Sequence, residues 1–153
     1  MGKILDEELI KVGVEANDNK GIISYGANLL HENGYVNDGY LDAVLKREEE
    51  FPTGLLGKGM GIAIPHTNAE YTIKPALCIM IPKEKVVFHR MDIKEDLIDV
   101  QVVMMIAVKN GNMELELLKK VAQLLGDAKS LTELKNAKDR AAVVKALSPI
   151  FEA

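Results

Sequence analysis

The chain has little of the chemistry that would suit an oxidising compartment or a membrane. One cysteine in 153 residues excludes an internal disulfide, and Cys78 lies in an apolar run typical of a buried strand. No apolar run approaches the roughly 20 residues that a membrane-spanning helix needs. The N-terminal residues include acids where a signal peptide is apolar. These absences predict a cytoplasmic protein with no direct insertion into a membrane.

An excess of charge of one sign is also missing. The 19 Lys and Arg residues are interspersed with 23 Asp and Glu, for a formal net charge of -4. A surface for nucleic acid or anionic membrane is therefore not expected, and protein or small-molecule partners fit better. An apolar content of 48% in 153 residues is enough for one core. We predict a single domain over residues 1–153.

Hydrophobic patterning predicts the α/β class, with a mixed sheet of about five strands flanked by helices on both faces. Strands are expected at about residues 9–14, 53–56, 61–64, 76–81, 86–88 and 100–108. Helices are expected at about residues 22–33, 37–49 and 141–147. Another helix is predicted by an apolar stripe of Leu115, Leu118, Val121, Ala122 and Leu125, and the next by a capping box at residues 130–133.

The three histidines are the first candidates for chemistry near neutral pH, because imidazole acts as nucleophile, base or ligand there. His31 is expected to serve the last carbonyls of a helix, and His89 to lie in a surface turn. No histidine pair has zinc-ligand spacing, so neither a metal nor a cofactor is expected. His66 follows Pro65 at a strand end, where proline stiffens the chain. A purely structural histidine is the alternative.

A second candidate cluster precedes His66, where a helix gives way to a turn rich in proline and glycine. Arg47 offers a planar donor fork suited to phosphate or carboxylate oxygens, and Thr53 offers a hydroxyl. The alternative interpretation is a helix C-terminal arginine beside a solvated acidic run at residues 48–50.

Together the two clusters resemble the mannitol/fructose-type enzyme IIA family of the phosphoenolpyruvate-dependent sugar phosphotransferase system. The resemblance extends over most of the chain and rests on three motifs in order, Arg47-Glu48, Thr53-Gly54 and Ile62-Ala63-Ile64-Pro65-His66. The Phe51-Pro52 pair before Thr53 is most similar to the galactitol-specific branch.

The resemblance implies a phosphocarrier. His66 would accept phosphate from the phosphohistidine of the general carrier HPr and donate it to a cysteine of the cognate enzyme IIB. The membrane enzyme IIC would then move galactitol or a related polyol. Nε2 would be the acceptor atom, and we infer that Nδ1 donates to a backbone carbonyl. Arg47 is expected to stabilise the phosphoryl group, with Thr53 as a further donor and without a metal.

Glu114 stands where other branches of the family carry a second histidine before Leu115. A two-histidine mechanism is therefore not expected. A carboxylate at this place would repel an incoming phosphoryl group, so we expect it to be paired with Arg47 or displaced. For Glu48 two interpretations stay open, an anchor for neighbouring backbone and a helix-surface glutamate.

Docking of two partners on one histidine predicts an exposed apolar rim near the motif. The candidates are Phe51, Leu55, Leu56 and Met60, and the alternative is that these residues fill the core. Two other functions are retained as alternatives. One is a regulatory module whose phosphorylation controls a kinase or transcription factor. The other is a small hydrolase with His66 as base, for which no partner residue has a recognisable spacing.

Overall fold

Six strands form one mixed sheet in the computed structural model, which describes residues 4–152. The strands are β1 (Ile10–Val14), β2 (Gly54–Leu56), β3 (Gly61–Ala63), β4 (Ala76–Pro82), β5 (Val86–His89) and β6 (Leu97–Ala107). The helices are α1 (Asn19–Glu32), α2 (Tyr40–Glu50), α3 (Gly111–Leu125), α4 (Ala128–Lys135) and α5 (Arg140–Phe151). None of the helices in this part of the chain combines the length and apolarity of a membrane span.

The strands are arranged in the order β1-β4-β6-β3-β2, and β5 also pairs with β6. The pairs β1/β4 and β3/β6 are parallel, whereas β2/β3, β4/β6 and β5/β6 are antiparallel. The prediction of an α/β fold with a mixed sheet is confirmed. About five strands were expected in the sheet, and it has six, one at each of the six predicted segments. The longest strand, β6, is the central one, as its apolar composition predicted.

Helices cover both faces of this sheet. Residues of α1 and α2 join one buried cluster, and residues of α3, α4 and α5 join the other. Strand β6 contributes to both clusters, because successive side chains of a strand point to opposite faces. Val103 and Met105 pack on the α1 and α2 side, and Met104 and Ile106 on the other.

The predicted apolar stripe of α3 is correct only in part. Leu118 and Leu125 of that stripe are partly buried and pack against the core. Leu117, Val121 and Leu124 are the buried residues of this helix, whereas Leu115 is 53% exposed. Leucines stand at so many positions along this segment that more than one stripe fits the helical period. In the folded protein, the face of α3 that contains Leu117 is the one buried against the sheet.

The predicted capping box at residues 130–133 is also wrong. The N-cap of α4 is Asp127, three residues before Ser130, and its carboxylate accepts from the N–H of Ser130 at 3.1 Å. Ser130 is therefore a buried residue inside the helix. Helix α5 is longer than expected, because it continues through Pro149 to bury Ile150 and Phe151.

A buried carboxylate holds the turn from α2 to β2. Glu48 is 7% exposed, and its two oxygens accept from the backbone N–H and the hydroxyl of Thr53, each at 2.8 Å. Burial raises the pKa of Glu48 from 4.5 to about 7, although both hydrogen bonds from Thr53 oppose the rise. The structure thus decides for the backbone-anchor interpretation of Glu48.

This raised pKa predicts a pH-dependent stability. The native state retains a proton on Glu48 that the unfolded chain releases, so the free energy of unfolding should fall as the pH rises from about 4.5 to about 7. The Glu48→Gln variant should lack this part of the decline, which is on the order of 2 to 3 kcal/mol. Urea unfolding at a series of pH values measures the difference. Parallel curves for the two proteins would contradict the assignment.

Candidate functional site

His66 lies just beyond the end of β3, and its ring is held by its own backbone. Nδ1 lies 2.7 Å from the carbonyl oxygen of Ile64. A carbonyl can only accept, so Nδ1 carries the hydrogen and Nε2 of the neutral ring keeps its lone pair. The expected backbone acceptor for Nδ1 is thereby identified as Ile64.

The backbone before His66 is fixed on both sides of this carbonyl. The N–H of Ile64 donates to Oγ1 of Thr53 at 3.2 Å. Pro65 has no N–H, and its carbonyl accepts from the N–H of Ile106 in β6 at 3.1 Å. The polar groups on either side are thus satisfied by neighbouring strands, and the Ile64 carbonyl serves the imidazole.

Thr53 does not have the geometry expected of a donor to a phosphoryl group. Its hydroxyl has one hydrogen, which it donates to Glu48, and it accepts from Ile64. The side chain is 4% exposed. The hydroxyl supports the strand end that precedes His66, and its expected direct role as a donor stays a prediction.

Glu114 lies beside the imidazole. Its Oε1 is 3.8 Å from Nε2 of His66, and its side chain is 32% exposed. The expectation that Glu114 is displaced or paired with Arg47 is not met, since Arg47 and Glu114, both within residues 4–152, form no ion pair. Glu114 occupies the first turn of α3, where the helix dipole favours a carboxylate.

Arg47 reaches the loop that follows His66. Its Nη1 donates to the side-chain oxygen of Asn68 at 3.3 Å, and its guanidinium carbon lies 5.8 Å from the centroid of the Phe51 ring. Arg47, Lys46, Thr67 and Asn68 line an open depression of about 210 Å³. The carboxylate of Glu50 also lines this depression, so two cationic side chains and one anionic side chain meet the loop after His66 there.

The predicted apolar rim is present only in part. Phe51 is 63% and Leu56 61% exposed, but Met60 belongs to the core and Leu55 is half-buried against it. Leu115, which the sequence assigned to the core, is exposed instead. His66 itself is 7% exposed, so the imidazole is recessed rather than prominent.

The other reactive side chains have structural contacts. Nε2 of His31 lies 2.5 Å from a carboxylate oxygen of Asp38, so its expected role at helix carbonyls is wrong. His89 is the exposed last residue of β5, with Nδ1 2.8 Å from the Lys94 carbonyl. Cys78 is buried, as predicted, and burial raises its pKa to about 12.

One contributor to the site was missed at the level of sequence, and the choice between the two interpretations of Glu48 was left open. The hydroxyl of Tyr40 donates to the Ile106 carbonyl at 2.7 Å, within the segment that holds Pro65. Glu48 carried a usable signal, because Tyr40, Val44 and Glu48 follow one another at intervals of four and are the buried residues of α2. That spacing places the carboxylate on the buried face. Nothing in the spacing identifies Asn68 as the partner of Arg47.

Comparison with known proteins gives a consistent picture. The family model described as "Phosphoenolpyruvate-dependent sugar phosphotransferase system, EIIA 2" matches residues 3–149. The galactitol-specific EIIA component of Escherichia coli (strain K12) is 31% identical over 110 residues, which cover 72% of this chain and 73% of that protein. The fructose-specific EIIABC component of Bacillus subtilis (strain 168) is 30% identical over 146 residues, 93% of this chain but 22% of that longer protein.

A solved structure agrees with these relatives. The crystal structure of IIA mannitol from Escherichia coli is 27% identical, with a TM-score of 0.78, and the match covers 94% of this chain and 98% of that one. The family model spans nearly the whole sequence, and both relatives reach 30% identity over more than two thirds of it. The chain therefore belongs to the EIIA 2 family of the phosphoenolpyruvate-dependent sugar phosphotransferase system.

Proposed function

We propose that this chain is a phosphoryl carrier, in which Nε2 of His66 accepts a phosphoryl group from the phosphohistidine of HPr. The observation that carries the proposal is the contact between Nδ1 and the Ile64 carbonyl, which leaves the Nε2 lone pair available for attack. An N–P bond forms at Nε2 as the N–P bond of the donor breaks. Histidine suits a relay because it attacks as a neutral nucleophile near pH 7 and becomes a reactive phosphoramidate.

Arg47 is the proposed stabiliser of the migrating group. Phosphoryl transfer spreads negative charge over three equatorial oxygens, and positioned donors then contribute most of the catalysis. The half-buried guanidinium of Arg47 borders the depression that Thr67 and Asn68, directly after His66, also line. Its Nη1 would exchange the hydrogen bond with Asn68 for bonds to phosphoryl oxygens.

The onward partner that we propose is a cysteine of the cognate enzyme IIB, and the transported substrate is galactitol or a related polyol. The fructose-specific relative combines A, B and C components in one named protein, which supports IIB as partner. The galactitol-specific relative and the Phe51-Pro52 pair support the polyol. The exposed side chains of Phe51, Leu56 and Leu115 offer apolar area for transient docking in the cytoplasm.

The first prediction concerns the acceptor. Incubation with enzyme I, HPr and labelled phosphoenolpyruvate should place one acid-labile phosphoryl group on the protein. The His66→Gln variant should take up no label, because it lacks the nucleophile. Phosphopeptide mapping under alkaline conditions checks the position.

The matched control for this experiment is His31→Gln, which changes an exposed histidine elsewhere and should be labelled like the wild type. Undiminished label on the His66 variant would refute the proposal. Addition of candidate IIB proteins then tests the onward step. Loss of label to a galactitol IIB supports the transport function, whereas label that no IIB accepts favours the regulatory alternative.

The second prediction concerns Arg47. The Arg47→Ala variant should transfer more slowly by roughly 2 to 4 kcal/mol of barrier, the range for one lost charged donor. Rapid-quench measurement of single-turnover phosphorylation gives this value. Arg47→Lys should recover part of the rate, because it restores the charge but not the planar fork. Arg140→Ala, which removes an exposed arginine at the start of α5, is the control. Equal rates for both alanine variants would remove Arg47 from the mechanism.

The third prediction concerns Glu114. A phosphoryl group on Nε2 would bring its oxygens against a carboxylate that lies 3.8 Å from that atom, so the two negative groups repel. We expect Glu114→Gln to shift the equilibrium with phospho-HPr toward phosphorylated His66 by roughly threefold to thirtyfold, allowing for solvent screening. Quantification of both phosphoproteins at equilibrium measures the shift. Glu32→Gln is the exposed control, and an unchanged equilibrium in Glu114→Gln would assign no electrostatic role to Glu114.

A further inference from the structure

A continuous series of hydrogen bonds leads from α2 to the imidazole of His66. The carboxylate of Glu48 accepts from the N–H and the hydroxyl of Thr53, each at 2.8 Å. The same hydroxyl oxygen accepts from the N–H of Ile64 at 3.2 Å. The carbonyl of Ile64 accepts from Nδ1 of His66 at 2.7 Å. Each residue in this series is hydrogen-bonded to the next, so the position of the imidazole depends on Ile64, that of Ile64 on Thr53, and that of Thr53 on Glu48.

Each member of this series is buried. Thr53 is 4%, Glu48 and His66 are 7% and Ile64 is 1% exposed. Water therefore cannot readily replace a lost partner, and an unsatisfied polar group at any link would be costly. Among the described side chains, no buried nitrogen or oxygen lacks a hydrogen-bond partner. The series is thus complete.

We propose that Glu48 and Thr53 are positioning residues for His66, and that their hydrogen bonds hold the Ile64 carbonyl where it selects the Nδ1–H tautomer of the ring. This inference rests on the proposed function of His66 as phosphoryl acceptor. Neither residue needs to touch the phosphoryl group. Their contribution is to keep the lone pair on Nε2 and the ring plane aligned for attack.

The backbone around Thr53 is built to keep this hydroxyl in place. Gly54 pairs with Ala63 across the β2/β3 hairpin, which brings Thr53 beside Ile64. A Cβ atom at Gly54 would lie 2.5 Å from the backbone oxygen of His89, so the chain passes there with no room for a side chain. The direction of Thr53 is therefore set by packed backbone.

The competing explanation is that the contacts between Glu48 and Thr53 only stabilise the turn from α2 to β2. Stabilisation of the turn needs only the two hydrogen bonds between these residues. The additional bond from Ile64 to the Thr53 hydroxyl continues toward His66 and is not needed for that purpose. The two explanations differ in whether loss of the hydroxyl changes the state of the imidazole.

The test compares Thr53→Val, which removes the hydroxyl at nearly constant shape, with Thr53→Ser, which keeps it. Nitrogen-15 NMR of the His66 ring, recorded above the pH at which the ring is protonated, reports the tautomer. We expect the valine variant to gain a population with the hydrogen on Nε2, and the serine variant to match the wild type. The saturating rate of phosphorylation should fall roughly tenfold to a hundredfold in the valine variant, with a half-saturating HPr concentration within about twofold.

A second comparison tests the contact between Glu48 and Thr53. It uses the Glu48→Gln variant, with Glu49→Gln as the control. The two Thr53 hydrogens bind different oxygens of Glu48, and glutamine replaces one of these oxygens by an NH₂ group that cannot accept. Glu48→Gln should therefore show a smaller change of tautomer in the same direction. Glu49 is exposed and lies 3.9 Å from Lys20, so its variant should match the wild type. If the valine variant fails to fold, Thr53→Ala, which only removes atoms, replaces it in the comparison.

A folded Thr53 variant without the hydroxyl that keeps the wild-type tautomer and rate would overturn the proposal. The NMR arm requires no partner protein. The two proposals can therefore fail separately. Absence of phosphorylation on the wild type would refute the proposed function, and the tautomer comparison would still decide whether Glu48 and Thr53 position the ring.

Discussion

The contact between Nδ1 of His66 and the Ile64 carbonyl is the interaction on which the candidate site depends. It joins residues two apart in the chain, so its geometry depends on the backbone of residues 64–66. Thr53 holds the N–H side of Ile64, and Ile106 of the central strand holds the carbonyl of Pro65. Strand β6 is packed between apolar clusters on both faces and is therefore rigid. Its hydrogen bond to Pro65 restricts the movement of the segment that carries the imidazole.

Helix α2 organises this region through three polar side chains. Tyr40 bonds the Ile106 carbonyl, Glu48 bonds Thr53, and Arg47 reaches Asn68 in the loop after the histidine. Tyr40 and Glu48 share the buried face of the helix, since they are eight residues apart. Arg47 is rotated by about 100° from Glu48 and so reaches the surface instead. Adjacent residues of one motif therefore make different contacts. Glu48 binds Thr53 inside the protein, and Arg47 binds Asn68 at its surface.

The sequence predicted the class of fold and the setting of His66, because periodicity and proline restrict the backbone over short distances. It predicted the stripe of α3 only in part, since leucines at several neighbouring positions fit more than one stripe, and Leu115 was assigned to the wrong face. The direction of the Thr53 hydroxyl and the approach of Glu114 to His66 were also missed. Both depend on contacts between segments far apart in the chain, which local patterns do not specify.

A carrier needs a phosphorylated state that forms readily and is also given up readily, and the two charged neighbours of the proposed site act on this balance in opposite directions. The guanidinium of Arg47 would favour a phosphoryl group held beside the 67–68 loop. The carboxylate of Glu114, 3.8 Å from Nε2, would disfavour it. A third of the Glu114 side chain is exposed, so solvent screens part of this repulsion. A glutamate at this position therefore suits a relay whose phosphoryl group is held only briefly.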